Sequence, residues 1–190
     1  MRKVILLMHV SLDGFVAGPN GEMDWIRTDD GIWEYVDHLT ANADTNLFGR
    51  VTYQMMESYW PTAAEQPTAT KHDIDHARWV NSVSKVVFSK SLEKVEWKHS
   101  RLVKENVAEE ITKLKQQPGK NLIIIGSPGF ASTLMNLGLI DEYWLNVNPV
   151  VLGSGNPLFK GLKDRINLKL VSTKTFSSGV VGLCYQAYTT

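Results

Sequence analysis

The sequence predicts a three-layer α/β domain: a mainly parallel central sheet, helices on both faces and an antiparallel C-terminal hairpin. Three observations predict it. Short apolar runs alternate with segments of helical period. Strand-like runs pass straight into helix starts at Gly49-Arg50 and at Gly126–Gly129. Two long strand-like runs then close the chain around Ser177-Ser178-Gly179. The 190 residues, 43% of them hydrophobic, suit one domain over 1–190, with no internal repeat, low-complexity tract or linker.

The elements follow in order. Val4–Val10 is a near-continuous apolar run with β-branched residues, as in a strand covered on both faces. Asp13-Gly14 ends it, and Gly18-Pro19-Asn20-Gly21 makes Gly14–Asp24 a loop. Asp29 or Asp30 caps a helix through Ile32, Val36 and Leu39. Thr45–Phe48 is a short strand, and Gly49-Arg50-Val51-Thr52 opens a helix that stops at Trp60-Pro61. Thr62–Thr70 is polar loop, His72–Asn81 a helix and Lys85–Phe88 a strand ending in Ser89-Lys90. Asn106 with Glu109 forms a capping box before Val107, Ile111 and Leu114, and Pro118-Gly119 breaks that helix. Leu122–Ile125 is a buried strand, followed by the turn Gly126–Gly129 and a helix with inner stripe Phe130, Leu134 and Leu137 and C-cap Gly138. Glu142–Val150 is a long strand and Leu152–Phe159 a loop; Leu168–Phe176 and Val180–Tyr188 form the hairpin. Right-handed crossovers then gather the loops after the parallel strands along one sheet edge, where ligands bind in such folds.

Composition removes several functions. Twenty basic and twenty acidic residues leave no net charge, against a nucleic-acid or anionic-membrane binder. Cys184 is the one cysteine, so no internal disulfide forms and a reducing, cytoplasmic compartment is expected. Val4–Val10 is at the short limit of a signal-peptide core, and no apolar run reaches the length of a membrane span. His72 and His76 stand four apart, but no third ligand accompanies them, so no metal is expected. Cys184 has no adjacent histidine to activate it and is expected to be packing.

Three strand ends carry chemistry. Glycines at Gly126-Ser127-Pro128-Gly129 let backbone approach a ligand, and the helix beginning near Phe130 offers unpaired amides and a positive dipole end. The same residues also read as a plain tight turn. The spacing is neither G-x-G-x-x-G nor a P-loop. At Gly49-Arg50-x-Thr52 a guanidinium can fork a phosphate and a hydroxyl can bond another oxygen. Ser89-Lys90 repeats a hydroxyl and a cation after the next strand. Three such sites in register suit a long ligand with several phosphates.

Four stretches resemble the dihydrofolate reductase-like superfamily, especially its branch related to the riboflavin-biosynthesis pyrimidine reductase domain. They are Ser11-Leu12-Asp13-Gly14, Phe48–Tyr53, Val86–Lys90, and Ile123–Gly126 continuing through Pro149–Phe159, in the family's order and over nearly the whole chain. The resemblance implies NADPH as cofactor and hydride transfer to a small flat heterocycle, pterin-like or pyrimidine-like. It implies that Gly49, Arg50 and Thr52 meet the phosphates, with Ser89 and Lys90 at the 2′-phosphate and adenine. Gly126, Ser127, Gly129, Phe130 and Ala131 would hold the pyrophosphate, and backbone near His9 and Ala17 the nicotinamide amide. The family usually has two glycines in a row at the turn, often joined by a cis peptide. Here the second is Ser127, and a non-proline cis bond costs about 3 kcal/mol.

In dihydrofolate reductases themselves a carboxylate follows a loop tryptophan by five residues. Trp25 and Asp30 have that spacing, and Trp33 stands one turn on. Asp30 is therefore a candidate acid or a helix cap, with Asp29 the expected cap. Asp13 either contacts substrate or closes its turn. Trp25, Trp33 and Tyr53, within an aromatic-rich first third, form the candidate substrate wall. A homodimer is expected, with Tyr143, Trp144 and Leu145 either its face or buried within the chain. The alternatives to a reductase are a non-catalytic NADPH-binding or regulatory domain that keeps the fold, and a protein that binds no dinucleotide.

Overall fold

The structure is a computed structural model and describes residues 1–188. The chain runs β1 (Val4–Ser11), β2 (Phe15–Ala17), α1 (Asp30–Ala41), β3 (Ala43–Gly49), α2 (Arg50–Glu57), α3 (Lys71–Ser82), β4 (Ser84–Phe88) and β5 (Ser100–Val103). It continues through α4 (Val107–Gln116), β6 (Asn121–Ile125), α5 (Pro128–Asn136), β7 (Glu142–Asn148), β8 (Asn156–Pro157), β9 (Asn167–Thr175) and β10 (Val181–Tyr188). Eight strands form one sheet in the order β5-β4-β3-β6-β1-β7-β10-β9, and β2 pairs with β8 in a separate two-stranded ribbon. β5 through β7 are parallel; β10 and β9 are antiparallel. This is the three-layer architecture with an antiparallel end that the sequence predicts.

Strand alternation sorts the core. Val4, Leu6, Met8 and Val10 of β1 pack on one face with Ile111 and Leu114 of α4 and Leu134 of α5. Ile5 and Leu7 point to the other face, where Ile32, Val36 and Leu39 of α1 meet them with Phe176. A third cluster on that second face joins Phe48, Val87, Val80 of α3, Trp97 and Tyr53 of α2. Burying both faces of β1 accounts for its unbroken apolar run.

Several boundaries move for identifiable reasons. β5 is absent from the predicted elements, because Ser100–Val103 is short, half-exposed and set among charged residues. The loops 14–24 and 152–159 pair with each other through β2 and β8, a contact no local signal announces. The helix expected to reach Trp60 ends at Glu57, and a 3-10 turn follows at Ala63–Glu65. Asn106 makes no capping bond: its backbone is left-handed (φ 56°), whereas a capping side chain works from extended backbone. The capping box lies instead at Thr70 and Asp73, where Thr70 is extended (φ −76°, ψ 168°). Leu137 is 46% exposed, and Ala131 and Met135 join Phe130 and Leu134 on the buried stripe. Gly138 (φ 63°) does close α5, with its amide on the Met135 carbonyl and the Leu139 amide on the Leu134 carbonyl. Tyr143 and Leu145 are buried within the chain and Trp144 packs on the α1 side, so β7 is an interior strand rather than a dimer face. No helix among the described residues is long and apolar enough to cross a membrane.

Asp29 ties the first helix to the hairpin. One carboxylate oxygen accepts from the Ile32 amide at 2.9 Å. The other accepts from the Ser178 amide at 2.8 Å and the Ser177 hydroxyl at 2.9 Å. These donors, the Ser178 amide foremost, hold the carboxyl down at about 2. A carboxyl depressed in the folded state stabilises above its unfolded pKa, near 3.9, and that stabilisation is lost as pH falls through the folded value. Asp29→Ala should therefore unfold at lower urea than wild type at pH 7. The gap should narrow as pH falls from about 4 toward 2. A gap of constant size across that range rules out the carboxylate as its source.

Candidate functional site

All the candidate junctions lie on one edge of the sheet, at the C-terminal ends of β4, β3, β6, β1 and β7, which are consecutive neighbours. Ser89 and Lys90 follow β4, Gly49 and Arg50 close β3 and open α2, and Gly126–Gly129 links β6 to α5. Asp13 follows β1, and Asn146 and Asn148 end β7.

The β6–α5 turn is braced by α2. Gly126 (φ 73°) and Ser127 (φ 52°) are both left-handed, and the described residues contain no cis peptide. The Ser127 amide donates to Thr52 Oγ1 at 3.0 Å, and Ser127 Oγ accepts from the Gly49 amide at 3.1 Å. Ser127 is 3% and Thr52 7% exposed. Both hydroxyls thus face inward, and the Ala131 amide is taken by the Ser127 carbonyl at 2.8 Å. Thr52, Ser127 and Ala131 thus hold the turn together in this structure. The two helix starts approach closely at Gly49, where a Cβ would lie 3.1 Å from Phe130 Cβ, tighter than an ordinary contact. What remains open to a ligand is the α5 N-terminus. Gly129 has free space around it, and the first-turn amides of Gly129 and Phe130 have no carbonyl four residues back within the helix. The Phe130 ring itself is spoken for, stacked on Phe88 at 4.5 Å.

Arg50 is exposed at the first turn of α2, with Nη1 3.3 Å from Gln54 Oε1. Ser89 Oγ accepts from the amides of Ser91 and Leu92, so it shapes its own loop. Lys90 is exposed and lines a groove of about 510 Å³ with Lys104, Glu105, Asn106 and Val107, the last opening α4. A second hollow of about 560 Å³ lies at the opposite sheet edge, around Asp141, Tyr143 and Arg165, and contains none of the candidate residues.

On the α1 side, Asp30 is exposed in the first turn while Asp29 does the capping. Asp13 closes its turn: its carboxylate accepts from Ser11 Oγ, the Leu152 amide and the Gly153 amide, which hold its pKa below the usual value, Ser11 first. These bonds make Asp13 a brace between the β1 turn and the loop after β7. Ala17 pairs with Asn156 in the β2–β8 ribbon. Trp25 is half-buried, its Nε1–H on the Glu22 carbonyl at 2.9 Å. Trp33 stacks on His72 with ring centroids 3.7 Å apart. Tyr53 leaves the substrate wall: it is 1% exposed, donates to Glu57, accepts from the Trp97 amide and packs between Phe48 and Trp97. Cys184 is buried, which pushes its thiol up to about 11.

His9 is half-buried at the end of β1; burial takes its pKa down to about 4, so the ring is neutral at pH 7. Its strand neighbour is Asn146. The sequence does carry a signal for Asn146 and Asn148: two asparagines at alternate positions of an otherwise apolar strand mark one polar face.

Comparison with known proteins agrees with this architecture. A model of the RibD C-terminal domain family matches residues 2–182. The uncharacterized protein YyaP of Bacillus subtilis (strain 168) is 40% identical over 189 residues, covering 97% of this chain and 95% of the relative. A putative riboflavin biosynthesis protein from Shewanella sp. PV-4 superposes with a TM-score of 0.75 at 23% identity, over 98% of this chain and 99% of its own. The dihydrofolate reductase of Enterococcus faecalis, complexed with NADP(H) and RAB-propyl, superposes at 0.62 with 12% identity, over 97% and 96%. The fold is therefore of the reductase type.

Proposed function

The chain belongs to the RibD C-terminal domain family, and on that premise we propose that it is an NADPH-dependent reductase of a small flat heterocycle. The observation that carries this reading is the row of free anion-binding groups along one edge. Lys90 after β4, Arg50 after β3 and the Gly129–Phe130 amides after β6 stand on consecutive strands. With strands about 4.8 Å apart, the row spans roughly 10 Å, more than a lone phosphate covers and enough for separate phosphate groups of one ligand. The open space at Gly129 lets a pyrophosphate reach the helix dipole.

In this reading the α5 amides hold the pyrophosphate, Arg50 forks a neighbouring phosphate oxygen pair, and Lys90 faces the 2′-phosphate. NADPH supplies the hydride. Asp30 supplies the proton that a C=N acceptor needs on nitrogen as its carbon is reduced. The frame beneath, braced through Thr52, Ser127 and Asp13, fixes the geometry, and orientation of this kind provides much of the rate.

Fluorescence titration tests the cofactor assignment. Wild type should prefer NADPH over NADH. Lys90→Gln should weaken NADPH about tenfold and leave NADH unchanged, whereas Arg50→Gln should weaken both, since a charged hydrogen bond is worth about 1.5–3 kcal/mol. Equal affinity of wild type for the two cofactors overturns the assignment of Lys90. Oxidation of NADPH with a panel of pterins, flavin precursors and quinones tests the activity; tight NADPH binding with no turnover on any of them favours a non-catalytic binding domain.

A further inference from the structure

Two asparagines stand on the same face of β7, and their surroundings differ sharply. Alternation places Asn146 and Asn148 on the α1 side, since Leu145 packs into the opposite core. Asn148 is fully partnered: Oδ1 accepts from the Arg27 amide at 2.7 Å, and Nδ2 donates to the Asn146 carbonyl at 3.1 Å and the Val10 carbonyl at 3.4 Å. Asn146 is equally buried, at 0% exposure, yet among the described residues neither Nδ2 nor Oδ1 has a partner. Beside it across the β1–β7 register stands His9, whose buried Nδ1 is also unpartnered. His9 alternates with Ile5 and Leu7, so it shares that face. The pair therefore lies toward the C-terminal edge of the sheet, on the face that α1 covers.

A buried carboxamide without partners bears the cost of desolvation and returns nothing to the fold. Such a group in a native protein calls for an explanation, and an interior position at the reactive edge supplies one. The other two neighbours fit. Opposite Asn146 on β10 is Gly182, and the Phe176 ring fills the space a Cβ there would take, 3.1 Å from its position. Phe176 also lies against Gly31 of α1. Phe176 thus stands between Gly182, the β10 neighbour of Asn146, and the first turn of α1.

We propose that Asn146, with His9 beside it, is the element that recognises the substrate, and that it selects heterocycles presenting a ring N–H next to a C=O, as in a lactam or ureide. A primary carboxamide offers one acceptor and two donors in a plane, and pairs with that edge through two antiparallel hydrogen bonds. The neutral His9 ring adds a third polar contact and no charge. This inference rests on the reductase reading for the word substrate, but the binding it describes is measurable without turnover.

The test uses lumazine, which carries the N–H and C=O edge, and 1,3-dimethyllumazine, which has lost both N–H groups. Binding is followed by calorimetry with the whole protein, with and without NADPH. Wild type should bind lumazine at least tenfold more tightly than the dimethyl compound, and Asn146→Leu should lose at least tenfold in lumazine affinity while keeping its NADPH affinity. The melting temperature provides an independent readout. Asn146→Leu should melt at the same temperature or higher, because an unpaired amide is replaced by apolar volume, whereas Asn148→Leu should melt lower. Asn146→Asp, of the same shape but without the donors, should shift preference toward pterin, whose amino group donates. Lumazine binding unchanged in Asn146→Leu, no discrimination by wild type, or no binding of either compound each overturns the proposal. Failure of NADPH oxidation with these binding results intact removes the reductase reading and leaves the recognition element standing.

Discussion

Asp30→Asn should lower turnover by a factor on the order of 10² to 10⁴ and leave NADPH affinity unchanged. The structure separates the two aspartates that the sequence leaves together. Asp29 takes the Ile32 amide and reaches across to Ser177 and Ser178, so its carboxylate is committed to the fold. Asp30 is exposed on the first turn of the same helix, one position further, with no capping duty. Asparagine there keeps size and shape, and the loss of a negative charge near a helix N-terminus costs about 0.3–1 kcal/mol at most. Stability therefore changes little, and a large loss of rate has to come from the missing proton. The effect belongs to kcat, because the proton is delivered in the transition state. Single-turnover kinetics with saturating NADPH check it. Wild-type turnover in the variant takes Asp30 out of the mechanism and leaves a cleft water as the proton source.

The general plan of the molecule was open to a sequence-only argument because its signals are local. The apolar runs of β1 and β6 and the caps at Asp29 and Gly138 are written within a few residues of where they act. What escaped is non-local or directional. The β2–β8 ribbon joins residues about 140 positions apart in the chain, and its strands, three and two residues long, are too short to show a period. Asn106 has the residue type of a cap and the backbone of a turn, a difference only φ shows. In the candidate site, residue type and position at the sheet edge were legible, but the direction of the side chain was not. Tyr53, Thr52 and Ser127 all sit at the right junctions and all turn inward, because each finds a buried backbone amide that needs an acceptor. Asn146 is the converse: legible as a polar residue in an apolar strand, and informative only once its lack of partners is seen.

Gly126→Val should destabilise the protein by about 2–4 kcal/mol and weaken NADPH binding at least tenfold. Gly126 is left-handed (φ 73°), a conformation a β-branched residue adopts only under strain. Its new Cβ would stand 3.3 Å from Thr52 Cγ2, tighter than ordinary contact, even before the added methyls are placed. The turn must therefore draw away from α2, which stretches both braces, Ser127 amide to Thr52 and Gly49 amide to Ser127. Each leaves a donor short of its acceptor, and the α5 amides proposed to hold the cofactor shift with the turn. Urea unfolding and NADPH titration read the two effects together. Ser127→Gly provides the contrast. It relieves a left-handed serine, which favours the fold by about 1 kcal/mol, and removes the acceptor for the Gly49 amide, which costs a similar amount. Near-neutral stability there, beside a large loss in Gly126→Val, would mean that a second glycine and a braced serine are alternative solutions to the same turn, while the first glycine has no substitute. Gly126→Val with an unchanged unfolding midpoint would show instead that the turn adapts freely, and that the Thr52 and Gly49 bonds do not fix the cofactor edge.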